Sequence, residues 1–204
     1  MRIRLGITGG IGSGKSFFSK ALRERGIPVF DSDSEAKKLM VTDNDIITSL
    51  KALLGDDVYI NGEINKPLLA SYIFASGENA SRVNSIVHPC VKKAFLRWAD
   101  ECFYAGHHIA AIESAILFES GFDDIVDRVV MVHAPLETRI ARVMERDKTT
   151  RDKVIGRINS QMDDREKLSK SDFIIENDGT ASIDSQIDKL ISDLQLIKDV
   201  QYLV

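Results

Sequence analysis

Gly9-Gly10-Ile11-Gly12-Ser13-Gly14-Lys15-Ser16 is the stretch from which the rest of this 204-residue chain can be placed. It fits G-x-x-x-x-G-K-S/T, the loop with which a strand–turn–helix unit wraps nucleotide phosphates. Ile3-Arg4-Leu5-Gly6-Ile7 before it reads as a short buried strand. Ser16 to Arg25 after it reads as a helix with Phe17, Ala21 and Leu22 on one face. Glycines at 9, 12 and 14 permit positive φ and a close approach of backbone to ligand. Successive N–H groups then form an anion nest, and the helix dipole adds positive charge where phosphates lie. Lys15 is placed to reach the β- and γ-phosphates, and the Ser16 hydroxyl to ligate Mg²⁺.

Composition sets the outer limits. A chain of 204 residues that is 44% hydrophobic and 28% charged is globular, with one sizeable core and room for an inserted subdomain. A net charge of −4 argues against a broad nucleic-acid face. No apolar run approaches a membrane span, and the N-terminus leads straight into a core strand, leaving no room for a signal peptide. Cys90 and Cys102 fall in one expected helix, about 18 Å apart at 1.5 Å rise per residue, so they do not pair there. Reduced thiols suit a cytoplasmic protein. His88, His107, His108 and His133 show no metal spacing.

From the loop onward the chain alternates strand and helix. Gly26 ends the first helix, and Pro28-Val29-Phe30 is a second strand with Asp31-Ser32-Asp33 at its carboxyl end. Ligands of open α/β sheets bind there, so the acids are candidates for general-base or metal work. Either acid also suits the N-cap of a helix over residues 34–41, and one as cap with the other as catalyst satisfies both readings.

Residues 43–105 read as a mostly helical insertion. Asn61-Gly62 marks a hairpin, Pro67 opens a helix and Gly77 stops it. A long helical pattern from Asn79 to Tyr104 carries His88-Pro89, where a break or kink is expected near Val87. His88 is either a packed kink residue or part of a second-substrate site.

Residues 108–112 form a third strand ended by Glu113, an acid in the position that holds Mg²⁺ through water in P-loop enzymes. Residues 117–121 suggest a short helical segment, and residues 128–132 a fourth strand. Arg139, Arg142 and Arg146 follow at i, i+3 and i+7 on one helical face, with Arg151, Arg157 and Arg165 after them. They form either a solvated face paired with Glu137, Glu145 and Asp147 or a phosphate lid that excludes water and supplies charge. Residues 171–175 give the fifth strand, and residues 182–198 a closing amphipathic helix.

Assembled in order, these segments resemble the dephospho-CoA kinase family nearly end to end. The resemblance rests on Thr8-Gly9-Gly10-Ile11-Gly12-Ser13-Gly14-Lys15-Ser16, Asp31-x-Asp33, Asn61-Gly62 with Leu69 and Phe74, and His88-Pro89. It continues through Leu117-Phe118-Glu119, Arg142, Arg146-Asp147, Arg157, Gln161, Ser171-Asp172 and Asn177-Asp178-Gly179. Phe17 departs from the threonine common after the P-loop serine, and Glu113-Ser114-Ala115-Ile116 departs from the family's usual third-strand loop.

The resemblance implies an α/β P-loop kinase fold: a five-stranded parallel sheet flanked by helices, a helical insertion that binds the acceptor, and an arginine-rich lid. On that division residues 1–42 and 106–204 form the nucleotide-binding core, with the lid at about 143–165, and residues 43–105 the CoA-binding domain. It implies ATP and Mg²⁺, dephospho-CoA as acceptor at its ribose 3′-hydroxyl, and no nucleic-acid or membrane partner. Oligomeric state is left open.

Lys15, Arg142, Asp33 and Thr8 are then the expected catalytic group. Gly10, Ile11, Gly12, Ser13, Gly14, Lys15, Ser16, Phe17, Arg146 and Asn177 hold the nucleotide. Ser16 ligates the metal, with Asp33 or Glu113 as further candidates through water. His88, Leu117 and Glu119 meet the acceptor, and Arg151 and Arg157 belong to the lid.

The residues read without the resemblance also fit a P-loop kinase of a nucleoside or nucleoside monophosphate. A switch GTPase fits poorly: no D-x-x-G occurs, and Asn65-Lys66-Pro67-Leu68 lacks the Asp that reads guanine.

Overall fold

The computed structural model describes residues 2–200. Residues 1 and 201–204, counted above with the core, lie outside the described residues. Two compact units emerge: residues up to Phe30 with those from Ala99 onward, and the segment Asp31–Trp98 between them. The intervening unit thus begins at Asp31 and ends at Trp98, rather than spanning 43–105, because the helix after the second strand groups with the insertion.

The first unit is built on a parallel sheet of five strands: β1 (Ile3–Thr8), β2 (Val29–Asp31, whose last residue opens the second unit), β5 (Ile109–Glu113), β6 (Arg128–His133) and β7 (Phe173–Glu176). Their order is β2-β5-β1-β6-β7, so β1 lies at the centre. Ile7 pairs with Glu113, Thr8 with Met131 and His133 with Glu176, which brings the carboxyl ends of four strands to one edge. That edge beyond a central strand is where open α/β sheets bind ligands. At the opposite edge Asp127 accepts the Arg4 N–H (2.7 Å) and Asp172 the Val129 N–H (2.7 Å), tying down strand starts.

The sheet reads as near-continuous apolar runs because both its faces are covered. Ile3, Leu5, Ile7, Ala111, Val130 and Val132 pack with Phe18 and Leu22 of α1 (Lys15–Glu24) and with Ile187, Leu190 and Leu194 of α9 (Ile183–Val200). Each such large side chain contributes about 1.5–3 kcal/mol by burial. The buried face of α1 is Phe18, Ala21 and Leu22, at i, i+3 and i+4; Phe17, assigned to that face from the sequence, is 60% exposed. The expected short helix over 117–121 is a turn, followed by a single 3₁₀ turn at Phe122–Ile125.

The second unit holds α2 (Ser32–Thr42), α3 (Asn44–Leu54), a hairpin of β3 (Tyr59–Ile60) and β4 (Glu63–Ile64), α4 (Lys66–Ala75) and most of α5 (Gly77–Tyr104). Asn61 and Gly62 both take positive φ (52° and 83°), as a tight hairpin turn requires. Asp43 caps α3 and Asn65 caps α4, with Pro67 in the first turn of α4. The Tyr59 hydroxyl donates to the Met40 carbonyl (2.6 Å), and burial raises its pKa.

Gly77 opens α5 rather than stopping a helix; the break is the extended Ser76 before it. Nor does Pro89 break α5, which runs 28 residues. An interior proline costs about 3 kcal/mol, but Val83, Val87, Val91, Ala94 and Phe95 are all buried along one face. At about 1.5–3 kcal/mol for each large side chain, that burial outweighs the proline. Among the described residues no helix is long and apolar enough to cross a membrane.

Candidate active site

The phosphate loop leaves β1 at Thr8 and enters α1 at Lys15. Gly9, Gly12 and Gly14 have φ of 147°, 80° and 100°, a conformation L side chains rarely adopt. Gly10 needs its missing Cβ for space instead: a Cβ there would fall on the Arg139 guanidinium. The N-cap of α1 is Gly14, and no side chain caps the helix, the arrangement found where a helix N-terminus receives an anion. Outside the loop, Asn177 Nδ2 donates to the Ser13 carbonyl (2.7 Å) and braces the turn. Lys15 Nζ rests on the carbonyls of Gly9 (2.8 Å) and Gly10 (3.3 Å).

Gly12, Gly14, Lys15, Ser16, Phe17, Arg142, Val143 and Arg146 line one open cavity. Sequence-expected nucleotide residues from the loop and from α6 (Leu136–Asp147) therefore meet in space. Nη2 of Arg142 approaches Asn177 Oδ1 (3.4 Å), while Nη1 is buried without a hydrogen-bond partner among the described residues. An unpaired buried guanidinium N–H beside a lysine and a set of uncapped amides is matched by a polyanion.

Ser16 donates its hydroxyl to Glu113 Oε1 (3.2 Å). A hydroxyl and a carboxylate are hard oxygen donors of the kind Mg²⁺ takes. Ser16 and Glu113 could therefore hold the metal together, Ser16 directly and Glu113 through a coordinated water.

The arginines that looked alike in sequence separate. Arg139 is buried (1% exposed), donates through Nε to the Ile11 carbonyl (2.9 Å) and pairs with Asp164. Arg142 and Arg146 face the cavity. Arg146 and Arg157 both pair with Asp147 (2.7 Å each), whose carboxyl they hold below the usual range, Arg146 more than Arg157. Arg151 of α7 (Arg151–Asn159) pairs with Glu137 (2.6 Å), whose pKa it lowers. In this structure Arg151 and Arg157 follow the acid-paired reading.

Within the second unit the two acids after β2 divide their roles. Asp31 caps α2, accepting from the amides of Asp33 (3.1 Å) and Ser34 (3.0 Å) and from the Ser34 hydroxyl (2.8 Å). Asp33 sits exposed in the first turn with its carboxylate outside that cap. His88 is half-buried in α5; burial, then Lys92, lowers its pKa.

Three further expected site residues sit within the fold of the first unit. Thr8 is wholly buried at the strand end, and its hydroxyl has no hydrogen-bond partner among the described residues. Leu117 is also wholly buried, against Gly6, where a Cβ would stand 2.8 Å from its Cδ1. Glu119 pairs with the fully buried Lys167 (2.9 Å) and accepts from the Met162 N–H (2.8 Å), anchoring α8 (Asp164–Lys170). Lys167 is a structural partner that sequence reasoning left without a role, whereas Arg139 was read within the arginine stripe and Gln161 within the resemblance to the lid. Arg139 had a signal, since it heads the arginine stripe; Lys167 had none, lying in a charged helix.

Comparison with known proteins places the chain. A family model described as dephospho-CoA kinase matches residues 3–182. A dephospho-CoA kinase from Bacteroides fragilis is 48% identical over 196 residues, covering 95% of this chain and 94% of that one. One from Porphyromonas gingivalis is 46% identical, covering 78% of this chain and 77% of that one. A crystal structure from Thermus thermophilus superposes with a TM-score of 0.78 at 31% identity, over 95% of this chain and 97% of that one. A shikimate kinase from Acinetobacter baumannii shares the fold alone, at TM-score 0.54 and 16% identity over 98% of this chain and 94% of that one. Matched by the family model over residues 3–182 and 48% identical to a family member across 95% of its length, this chain belongs to the dephospho-CoA kinase family.

Proposed function

We propose that this chain transfers the γ-phosphoryl group of ATP to the ribose 3′-hydroxyl of dephospho-CoA, giving coenzyme A and ADP, in the cytoplasm. The observation that carries the chemistry is the cavity where uncapped α1, Lys15, Ser16 and the half-unpaired Arg142 converge. Family membership supplies the acceptor.

Phosphoryl transfer asks a protein for alignment and charge more than for covalent work. The amides of Gly12, Gly14, Lys15 and Ser16 bind the triphosphate, while those of Ile11 and Ser13 are held by Gln161 and by the Gly10 carbonyl. Lys15 and Arg142 neutralise charge that builds on the transferred group. Arg146 extends the positive wall of the cavity, and Phe17 offers it an apolar side. Asn177 supports the nucleotide indirectly, by fixing Ser13. Ser16, with Glu113 through a water, would hold Mg²⁺, which would supply positive charge to offset that of the phosphates.

Asp33 accepts or orients the proton of the acceptor hydroxyl. Two facts support it: the position directly after a sheet strand, and the commitment of the neighbouring Asp31 to capping. His88 remains our candidate for acceptor contact in the second unit, and residues 143–165 for the lid. In that lid Arg151 and Arg157 would exchange Glu137 and Asp147 for phosphate on closure.

A coupled assay for ADP release tests the reading. With saturating Mg-ATP, dephospho-CoA should be turned over far faster than adenosine or AMP. Equal or faster turnover of adenosine or AMP would move the chain to the nucleoside or nucleotide kinases.

A further inference from the structure

Ile11 stands in the middle of the phosphate loop, and both of its peptide groups are held by side chains from outside it. Gln161 Oε1 accepts the Ile11 N–H (3.1 Å), and Arg139 Nε donates to the Ile11 carbonyl (2.9 Å). The Arg139 guanidinium lies against Gly10, and its far end pairs with Asp164 in the first turn of α8. Gln161 lies in the short segment between α7 and α8, and Asp164 is the first residue of α8. That region and the phosphate loop are therefore joined at one residue.

Apolar packing contributes too, since Ile11 lies against the cluster of Ile140, Val143 and Val154 together with Ile155 and Ile158 of α7. The polar side chains Arg139, Gln161 and Asp164 border an open cavity beside it. Packing holds the Ile11 side chain; the hydrogen bonds hold its backbone. A buried arginine serving stability alone needs acceptors of any origin. This one takes a carbonyl from inside the phosphate-binding turn.

We infer that Arg139 is a positioning residue for the transfer reaction. With Gln161 and Asp164 it fixes the two peptide groups of Ile11 in the geometry that receives nucleotide phosphates, and it couples that geometry to the carboxyl-terminal end of the expected lid. The inference rests on the nucleotide reading of the loop and is independent of which acceptor is used.

The test compares Gln161→Leu, Asp164→Asn and Arg139→Lys with the parent. It reads melting temperature, ATP affinity by calorimetry, hydrogen exchange of the Ile11 amide without nucleotide, and kcat with the KM for dephospho-CoA. Losing one hydrogen bond to a part-buried amide should weaken ATP binding about tenfold in Gln161→Leu. Ile11 exchange should accelerate by a similar factor, and the KM for dephospho-CoA should stay at the parent value. Arg139→Lys, which loses both the fork and the fit against Gly10, should lose about 100-fold in ATP affinity. Asp164→Asn should fall between the parent and Arg139→Lys.

The inference is overturned if Gln161→Leu and Asp164→Asn bind ATP and turn over like the parent, whatever their melting temperatures. Those two variants decide the matter if Arg139→Lys does not fold. A parent that binds ATP but leaves dephospho-CoA unphosphorylated defeats the proposed function and leaves this comparison intact, because calorimetry needs no acceptor.

Discussion

Two strands of the sheet lead into helices, β2 directly and β1 through the glycine loop, and the two turns are built in opposite ways. After β2 the chain satisfies itself: Asp31 accepts both first-turn amides and the Ser34 hydroxyl. After β1 it does not: Gly14 caps α1 without a side chain, and bracing comes from Asn177, Gln161 and Arg139 outside the turn, each bonded to a loop carbonyl or to the Ile11 amide. The first arrangement consumes the helix dipole internally. The second leaves it directed at a ligand while still holding the backbone rigid. A phosphate site is thus marked less by the groups it contains than by the acceptors it withholds from its own amides.

Substitutions can break this contrast, and their expected effects span a wide range. The largest is Lys15→Ala, which removes the mobile positive charge from the open turn. Phosphoryl transfer should fall below detection while circular dichroism and melting stay near the parent. Near-parent turnover would separate the loop from catalysis.

Arg142→Ala comes next. A cation that meets the transferring phosphoryl group is worth roughly 10³- to 10⁵-fold in kcat, whereas an exposed arginine is worth almost nothing. The expected loss is in kcat, with a smaller change in the dissociation constant for ATP. An unchanged kcat would return Arg142 to bracing Asn177.

The self-capped turn supplies the third comparison. Asp33→Asn should lower kcat roughly 10²- to 10⁴-fold with little change in melting temperature. Asp31→Asn should be mild in both, since Asn caps nearly as well as Asp. Asp31→Ala should cost about 1 kcal/mol, a drop of about 2–4 °C in Tm for a chain of this size. Rate loss in Asp31→Asn with normal activity in Asp33→Asn would reverse the roles given to the two acids.

Much of this was legible from residue types whose reasons are local. Gly9, Gly12 and Gly14 announced positive φ, Asn61-Gly62 announced the hairpin, and apolar runs before Thr8 and Glu113 announced buried strands. Where the reason is tertiary, local reading failed. Phe17 and Phe18 have similar claims on a helix face until the sheet fixes which side is inside. Pro89 should break a helix, yet the buried stripe from Val83 to Phe95 holds α5 together. Arg139, Arg142 and Arg146 share one stripe. Only the position of the phosphate loop beside α6 separates the buried clamp from the cavity-facing pair. Glu119 and Lys167 find each other across 48 residues with no periodic signal to link them.

The contrast between the two turns is tested most directly by titrating isotope-labelled protein with Mg-ATP and following backbone amides by NMR. The amides of Gly12, Gly14, Lys15 and Ser16 should shift strongly and become protected from exchange as they gain phosphate acceptors. The same amides unmoved at saturating Mg-ATP would contradict it, because the uncapped turn would then have no role in holding nucleotide.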